Sequence, residues 1–403
     1  MHTTRRDFVR LATVAGIGLS PLARMAAARP RGEAKSILIL GGTGFLGPAC
    51  SEAALAKGHK VTLFNRGRIE TARKEKGRPS AVPGGVEVLY GNRDPNLTAD
   101  DWKKDPAKDG PKDPDAPKGL IQLKDRKWDA VIDTSGYFPR MVKASAEFLA
   151  PNIKQYLFIS SISVYKDNSK PNMKEDAELA VLKDPTTEKF GDSFENYGGG
   201  KAACEAAAEA AMPKRVANIR PGYIVGQRDT SKRFIYWPLR ARRGGEILIP
   251  GTPTDPIQII DVRDLAEWIV LCIENNTVGV FNATGPAKEL SFREMIEGCK
   301  KGVGGDPATY SWVDPALLER EGVKGSDFPL WASPEGESAG FHRINIDAAL
   351  KTGLKFRTVA DTAKSTVDWF DALPDDVKKG VSESTVTPER EAKLIESWKK
   401  NKG

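Results

Sequence analysis

The chain has 403 residues, enough to bury one large core or two fused ones, and 40% hydrophobic with 29% charged residues is the balance of a folded protein rather than a disordered one. Its formal charge of +7 falls to +4 without residues 1–28, which hold Arg5, Arg6, Arg10 and Arg24 against Asp7; so small an excess gives no concentrated basic face, and no nucleic-acid partner is expected. Cys50, Cys204, Cys272 and Cys299 form no CxxC pair and His2, His59 and His342 have no ligand spacing, so the thiols read as small buried hydrophobes and no metal site is expected.

Along the chain, Thr4-Arg5-Arg6-Asp7-Phe8-Val9-Arg10 precedes an apolar stretch, Leu11 to Leu22, and the small residues Ala26-Ala27-Ala28. Paired arginines, a modest apolar run and an Ala-x-Ala end resemble a twin-arginine export signal. Residues 1–28 are therefore expected to send the chain to the periplasm or beyond. The apolar run is shorter than the roughly 20 residues of a membrane span, so no stable membrane insertion is expected.

Ser36 to Leu40 is a continuous apolar run, as expected for a strand buried on both faces of a parallel sheet. Lys60 to Phe64, Val86 to Tyr90, Trp128 to Asp133, Tyr156 to Ser160 and Val216 to Ile219 read as further strands. Helical patterns over Pro48 to Lys57, Met141 to Leu149 and Lys201 to Ala211 lie between several of them. That alternation predicts an α/β fold, a Rossmann-type doubly wound parallel sheet over residues 34–221. Asp94 to Gly119, dense in Asp, Lys and Pro, reads as a solvated insertion. Residues 222–381, with their scattered tryptophans, read as a smaller substrate-capping region interleaved with the sheet, and 382–403 as a charged tail forming a peripheral helix.

Gly41-Gly42-Thr43-Gly44-Phe45-Leu46-Gly47 follows the first strand and opens a helix. The GxxGxxG spacing lets the backbone turn tightly and aims amides and the positive end of the helix at a pyrophosphate, so Gly41, Thr43, Gly44, Phe45, Leu46 and Gly47 are candidate dinucleotide contacts. The second strand ends at Asn65-Arg66-Gly67-Arg68, with no carboxylate for a ribose diol. Asn65 and the cations Arg66 and Arg68 instead suit a 2′-phosphate, which favours NADP, with NAD as the alternative. Asn92 is the candidate adenine contact, and Thr134 and Ser135 are candidates to line the nicotinamide edge.

Tyr197-Gly198-Gly199-Gly200-Lys201 sets a phenol and an amine four residues apart at the start of a helix, one turn apart on one face. A phenol with a pKa near 10 becomes a useful base when a neighbouring ammonium stabilises its phenolate. About 35 residues earlier, Phe158-Ile159-Ser160-Ser161-Ile162-Ser163-Val164-Tyr165 is a strand end rich in hydroxyls.

Together with Arg220-Pro221-Gly222-Tyr223-Ile224-Val225-Gly226 and Asp261-Val262-Arg263-Asp264-Leu265-Ala266, these motifs resemble the NAD-dependent epimerase/dehydratase family, the extended short-chain dehydrogenases/reductases, over roughly Ser36 to Phe370. The resemblance implies that Ser161 orients the substrate, ahead of Ser160 or Ser163, that Tyr197 exchanges the proton, and that Lys201 lowers its pKa and holds the ribose. It implies that Pro221 packs near the nicotinamide. Asp261 reads as a helix cap rather than a catalytic group. Gly340-Phe341 through Trp369-Phe370 also resembles the C-terminal end of atypical members, including plastid stem-loop-binding relatives. The expected activity is epimerase/dehydratase-like, on a sugar or polyol-like substrate, and redox-neutral with a tightly held cofactor, because soluble NAD(P) is scarce outside the cytoplasm. A net NADP-dependent dehydrogenase or reductase, or a non-catalytic nucleotide-sensing or RNA-binding relative, are the alternatives. A homodimer is one option for a fold whose helices often pair.

Overall fold

Alternation of apolar strands with amphipathic helices builds a three-layer α/β sandwich in the computed structural model, which describes residues 33–78, 80–95, 119–229, 231–323, 327–382 and 386–402. The export signal expected over residues 1–28 and most of the insertion expected over 94–119 lie outside the described residues. Strands β1 (Ser36–Leu40), β2 (Lys60–Asn65), β3 (Glu87–Tyr90), β4 (Trp128–Asp133), β5 (Ile153–Ile159) and β6 (Val216–Pro221) join in one sheet. The short strands β7 (Tyr223–Val225), β8 (Gly245–Pro250), β9 (Pro256–Ile257) and β10 (Ile259–Asp261) follow, then β11 (Gly279–Ala283), β12 (Leu290–Ser291) and β13 (Ala308–Val313). The main sheet has seven strands in the order β11-β6-β5-β4-β1-β2-β3, all parallel. Order reverses between β1 and β4, which opens a crevice at their carboxyl ends, the usual ligand position in such sheets.

Helices α1 (Leu46–Ala56), α2 (Arg68–Glu75), α3 (Pro139–Leu149) and α4 (Tyr197–Ala211) connect these strands. In the C-terminal part come α5 (Tyr236–Arg243), α6 (Val262–Glu274), α7 (Phe292–Val303) and α8 (Pro315–Arg320), then α9 (Asp347–Lys351), α10 (Val359–Asp371), α11 (Asp375–Ser382) and α12 (Pro388–Lys402). Because β1 is buried on both faces, Ile37 and Ile39 pack under α1 and α6 with Trp268, while Leu38 and Leu40 pack under α3 and α4 with Phe158. All four cysteines are buried and free, as their spacing suggested.

Three expectations change. β5 starts at Ile153, where it pairs with Trp128, rather than at Tyr156; the exposed Lys154 at its start interrupts the apolar pattern without ending the ladder. α4 starts at Tyr197 rather than Lys201, because the three glycines are helical. The charged tail is docked rather than peripheral: Leu394 and Ile395 are buried, and the Glu391 carboxylate is buried against Arg240 Nε at 2.8 and 2.9 Å. Asp261 caps α6 as expected, its carboxylate accepting the Arg263 backbone N–H at 2.8 Å. Among the described residues no helix is long and apolar enough to cross a membrane.

α4 is tied to the sheet by a buried ion pair, Arg220 Nε and Nη2 donating to Glu205 Oε1 and Oε2 at 2.9 and 2.7 Å. Removing one partner of such a pair leaves an uncompensated charge. Glu205→Gln is expected to lower stability by about 3 to 5 kcal/mol in urea unfolding, and Glu205→Leu with Arg220→Met to recover most of that loss.

Candidate active site

The glycine turn sits at the switch point because of its neighbours. Gly41 has φ +90°, and a Cβ there would come within 2.7 Å of Ser135 Cβ and 2.8 Å of Thr134 Oγ1. Thr134 seals that junction: its hydroxyl donates to the carbonyls of Leu40 and Gly41 at 3.0 Å each, and its backbone N–H donates to Leu40 O at 3.0 Å. A Cβ on Gly47 would strike the Gly42 Cα at 2.6 Å, so this glycine lets α1 press against the turn. Gly44 is different, exposed and facing open space.

The turn therefore leaves a cradle. No side chain caps the N-terminus of α1, where Phe45 is half-buried and Leu46 and Thr43 are buried, so its first amides are available to an anion. At the end of β2, Asn65 Oδ1 accepts from the Gly67 N–H at 2.9 Å while its Nδ2 is buried with no partner. Arg66 and Arg68 follow at the surface. Asn92 closes its own turn, its Oδ1 accepting from the Asp94 N–H at 2.9 Å. An open Gly44, an uncapped helix start and an orphaned amide fit a dinucleotide lying across the turn.

On the other side of the crevice lie the three groups singled out for catalysis. Ser161 is half-buried at the end of β5, its Oγ donating to Ser163 Oγ at 3.0 Å and accepting from the Ser163 N–H at 3.1 Å. Ser160, by contrast, is buried with an unpartnered hydroxyl. Tyr197 comes to Ser161 because α4 begins on glycines. A Cβ at Gly198 would lie 2.1 Å from the Ser163 carbonyl oxygen, and one at Gly199 2.9 Å from the Leu182 nitrogen. Glycine in a helix costs about 1 kcal/mol against alanine, and this close approach explains it at Gly198 and Gly199; at Gly200 a Cβ would meet nothing nearer than the Tyr137 carbonyl oxygen at 3.8 Å.

Lys201 is buried at 4% exposure, its ammonium donating to Gly136 O at 2.8 Å and Ile159 O at 2.6 Å, with the Phe158 ring centroid 4.4 Å away. Burial pushes its pKa down to about 8. Burial also raises the Tyr197 pKa above 10, with Tyr137 adding to the rise and the Ser161 hydroxyl and Arg233 opposing it. Ser161, Tyr197 and Lys201 thus share one neighbourhood, at the carboxyl ends of β4 and β5. Pro221 ends β6 beside them, followed by Gly222, where a Cβ would meet Thr284 Oγ1 at 2.4 Å.

Sequence reading missed the charges beneath this site. Asp133 is fully buried at the end of β4; its Oδ2 lies 2.8 Å from Arg93 Nη1 and accepts from the Tyr156 hydroxyl at 2.7 Å, and its Oδ1 accepts from the Ser135 N–H at 3.0 Å. A carboxylate directly after the buried apolar run Ala130 to Ile132 was the visible signal. Aromatic rings flank the other side, with Phe190 5.7 Å from Tyr197 and 5.9 Å from Tyr137 between centroids.

Residues 121–283 match the NAD dependent epimerase/dehydratase family. The chain is 28% identical over 279 residues to the chloroplast stem-loop binding protein of 41 kDa b of Arabidopsis thaliana, which covers 68% of this chain and 64% of that protein. Among solved structures, the fold is similar to dTDP-glucose 4,6-dehydratase of Bacillus anthracis in complex with NAD, with a TM-score of 0.55, 15% identity, and 86% of this chain and 100% of that one covered. It is likewise similar to UDP-N-acetylglucosamine 4-epimerase of Methanobrevibacter ruminantium, with a TM-score of 0.55, 18% identity, and 84% and 99% covered. At these identities the likeness is one of fold, the Rossmann-like sheet that the sequence predicted.

The last two glycines of the turn, Gly44 and Gly47, separate folding from binding. Gly44→Ala is expected to leave the thermal midpoint unchanged and to weaken dinucleotide binding about tenfold or more, a change of about 1.4 kcal/mol readable by calorimetry. Gly47→Ala is expected to lower the thermal midpoint itself, because its Cβ meets backbone that cannot move aside.

Proposed function

We propose that this chain is an NAD(P)-dependent enzyme of the extended short-chain dehydrogenase/reductase type, epimerase/dehydratase-like, acting on a hydroxyl of a sugar or polyol-like substrate. The observation that carries this reading is the convergence of Ser161, Tyr197 and a buried Lys201 ammonium at the carboxyl ends of β4 and β5, beside the β1–β4 switch point. Gly41, Thr43, Gly44, Phe45, Leu46 and Gly47 would hold the pyrophosphate, Asn65, Arg66 and Arg68 the adenosine ribose, Asn92 the adenine, and Thr134, Ser135 and Pro221 the nicotinamide. Arg66 and Arg68, with no carboxylate at the end of β2, support NADP over NAD.

A bound dinucleotide supplies hydride acceptor and donor chemistry at this place. The protein supplies the proton work. Tyr197 takes the proton of a substrate hydroxyl and later returns one; Ser161 holds that oxygen in line with the phenol. The Lys201 ammonium favours the phenolate and holds the ribose. The paired Arg5 and Arg6 support export of the folded protein with its nucleotide already in place, and so a redox-neutral reaction that restores the cofactor in each turnover. A second reading, RNA binding without turnover, is favoured by the name of the stem-loop binding relative. The complete set of Ser161, Tyr197 and Lys201 weighs against it.

Mass spectrometry of the purified protein after denaturation is expected to release one dinucleotide per chain, NADP rather than NAD. A protein that carries none and turns over only with added NADPH is a net reductase instead, and one that neither binds a dinucleotide nor turns over a sugar ends the enzymatic reading. Tyr197→Phe is expected to lower turnover by about 10² to 10⁴ while the nucleotide stays bound. Because the Lys201 pKa is depressed to about 8, the ammonium is present below that pH and lost above it. Turnover is accordingly expected to fall as the pH rises through about 8, in a pH–rate profile at saturating substrate.

A further inference from the structure

The Lys201 ammonium is held by carbonyls from two other segments, the turn after β4 and the end of β5. One of its two carbonyl partners, Gly136, ends the tight turn that leaves β4, and that turn is fixed from below by Asp133. Asp133 Oδ1 takes the Ser135 N–H at 3.0 Å, and a Cβ at Gly136 would lie 3.0 Å from Asp133 Oδ2, so the carboxylate fills the inside of the turn. Its Oδ2 in turn takes the Tyr156 hydroxyl at 2.7 Å and faces Arg93 Nη1 at 2.8 Å. Arg93 is 8% exposed and Asp133 fully buried, so this is an ion pair sealed from solvent, four residues of three different segments meeting under one loop. A buried charge pair of this kind is weak evidence for stability, since apolar replacements often serve as well.

We infer that Arg93 and Asp133 are positioning residues for Lys201: the pair fixes the Asp133–Gly136 turn that receives the ammonium, and the balance of its two charges sets how firmly that ammonium keeps its proton. Asp133 draws the proton toward Lys201 and Arg93 repels it. The other groups acting on Lys201 are Cys204 and Glu205 from α4, the Tyr137 ring from the turn after β4 and the Phe158 ring from β5, with Tyr156 standing behind Asp133; Glu205 is itself paired with Arg220 from β6. Cys204 is a neutral thiol, its pKa pushed up to about 12 by burial, and the Tyr156 phenol is held well above its usual value by burial and by Asp133. Among the charged groups beside Lys201, Arg93 and Asp133 are the pair whose two members both act on it, in opposite senses.

The importance of this for turnover rests on the reading of Tyr197 and Lys201 proposed above. Its test does not. The full chain, labelled with ¹³Cε-lysine and free of nucleotide and substrate, gives a Lys201 resonance assigned by its loss in Lys201→Arg. Ordinary lysines titrate near about 10.4, so a midpoint near 8 stands apart. Arg93→Met, which leaves the Asp133 carboxylate unopposed, is expected to raise that midpoint by about one pH unit, and Asp133→Asn to lower it by about one. Arg93→Met combined with Asp133→Asn returns it toward the wild-type value. Asp133→Asn strands a buried guanidinium and Arg93→Met a buried carboxylate, and either can fail to fold; the single variant that does fold, compared with the double variant, which strands neither charge, then decides alone. Equal midpoints in those two proteins, or single variants shifting in the same direction, overturn the inference whether or not the chain proves to act on a sugar.

Discussion

A buried ammonium with two carbonyl acceptors is the constraint on which the site depends. Lys201 Nζ bridges Gly136 O, just past β4, and Ile159 O, the last residue of β5. It thereby locks the start of α4 to the carboxyl edge of the sheet at the point where strand order reverses. A charge this deeply buried would be prohibitive without partners. Here it has two carbonyls, the face of Phe158 at 4.4 Å and that of Tyr137 at 5.4 Å, which share the work of solvation. What the arrangement leaves is a cation whose proton affinity is low for a lysine and open to adjustment by its neighbours.

Those neighbours come in balanced pairs. Arg220 and Glu205 anchor the middle of α4 to β6 through a bidentate contact, and Arg220 Nη1 reaches on to the Tyr165 hydroxyl at 3.1 Å, which donates to Asn282 Oδ1 at 2.6 Å on β11. Arg93 and Asp133 do the corresponding work beneath the β4 turn. Helix α4 is thus fixed at both levels by polar contacts that have one satisfied geometry, where apolar packing alone would tolerate several. Such precision matters in a site where a proton must pass between groups held within hydrogen-bond reach.

The sheet was legible because strands buried on both faces are continuous apolar runs, and because GxxGxxG after the first of them announces where the crevice lies. Tyr197, Lys201 and Ser161 were legible for a chemical reason, since a phenol, an amine four residues on and a hydroxyl-rich strand end form a recognisable set. What could not be read was how they meet. Gly198 to Gly200 look like a helix breaker in one dimension; only the 2.1 Å gap to the Ser163 carbonyl shows that they admit the helix to its site. Arg93 and Asp133 are some 40 residues apart, and no periodicity links a loop cation to a strand-end carboxylate. The charged tail misled for the opposite reason: its polarity was plain, but Glu391 owes its burial to Arg240, 151 residues away, which also holds it against the Leu248 N–H at 3.1 Å.

The solved relatives share this fold at 15 and 18% identity, a distance at which a fold is kept while its chemistry is free to change. Function must then be argued from the groups in the crevice. A lysine buried at the sheet edge adds no stability that a leucine would not supply more cheaply, and its ammonium suits both roles proposed above, holding a ribose and favouring a phenolate. Glycines at the start of a helix weaken it by about 1 kcal/mol each, and Gly198 and Gly199 serve to bring the phenol against a serine. Both features lower the stability of the fold, and the proposed proton transfer accounts for both: a tyrosine giving and taking a proton beside a cation, at the mouth of a turn whose open Gly44 leaves room for a dinucleotide.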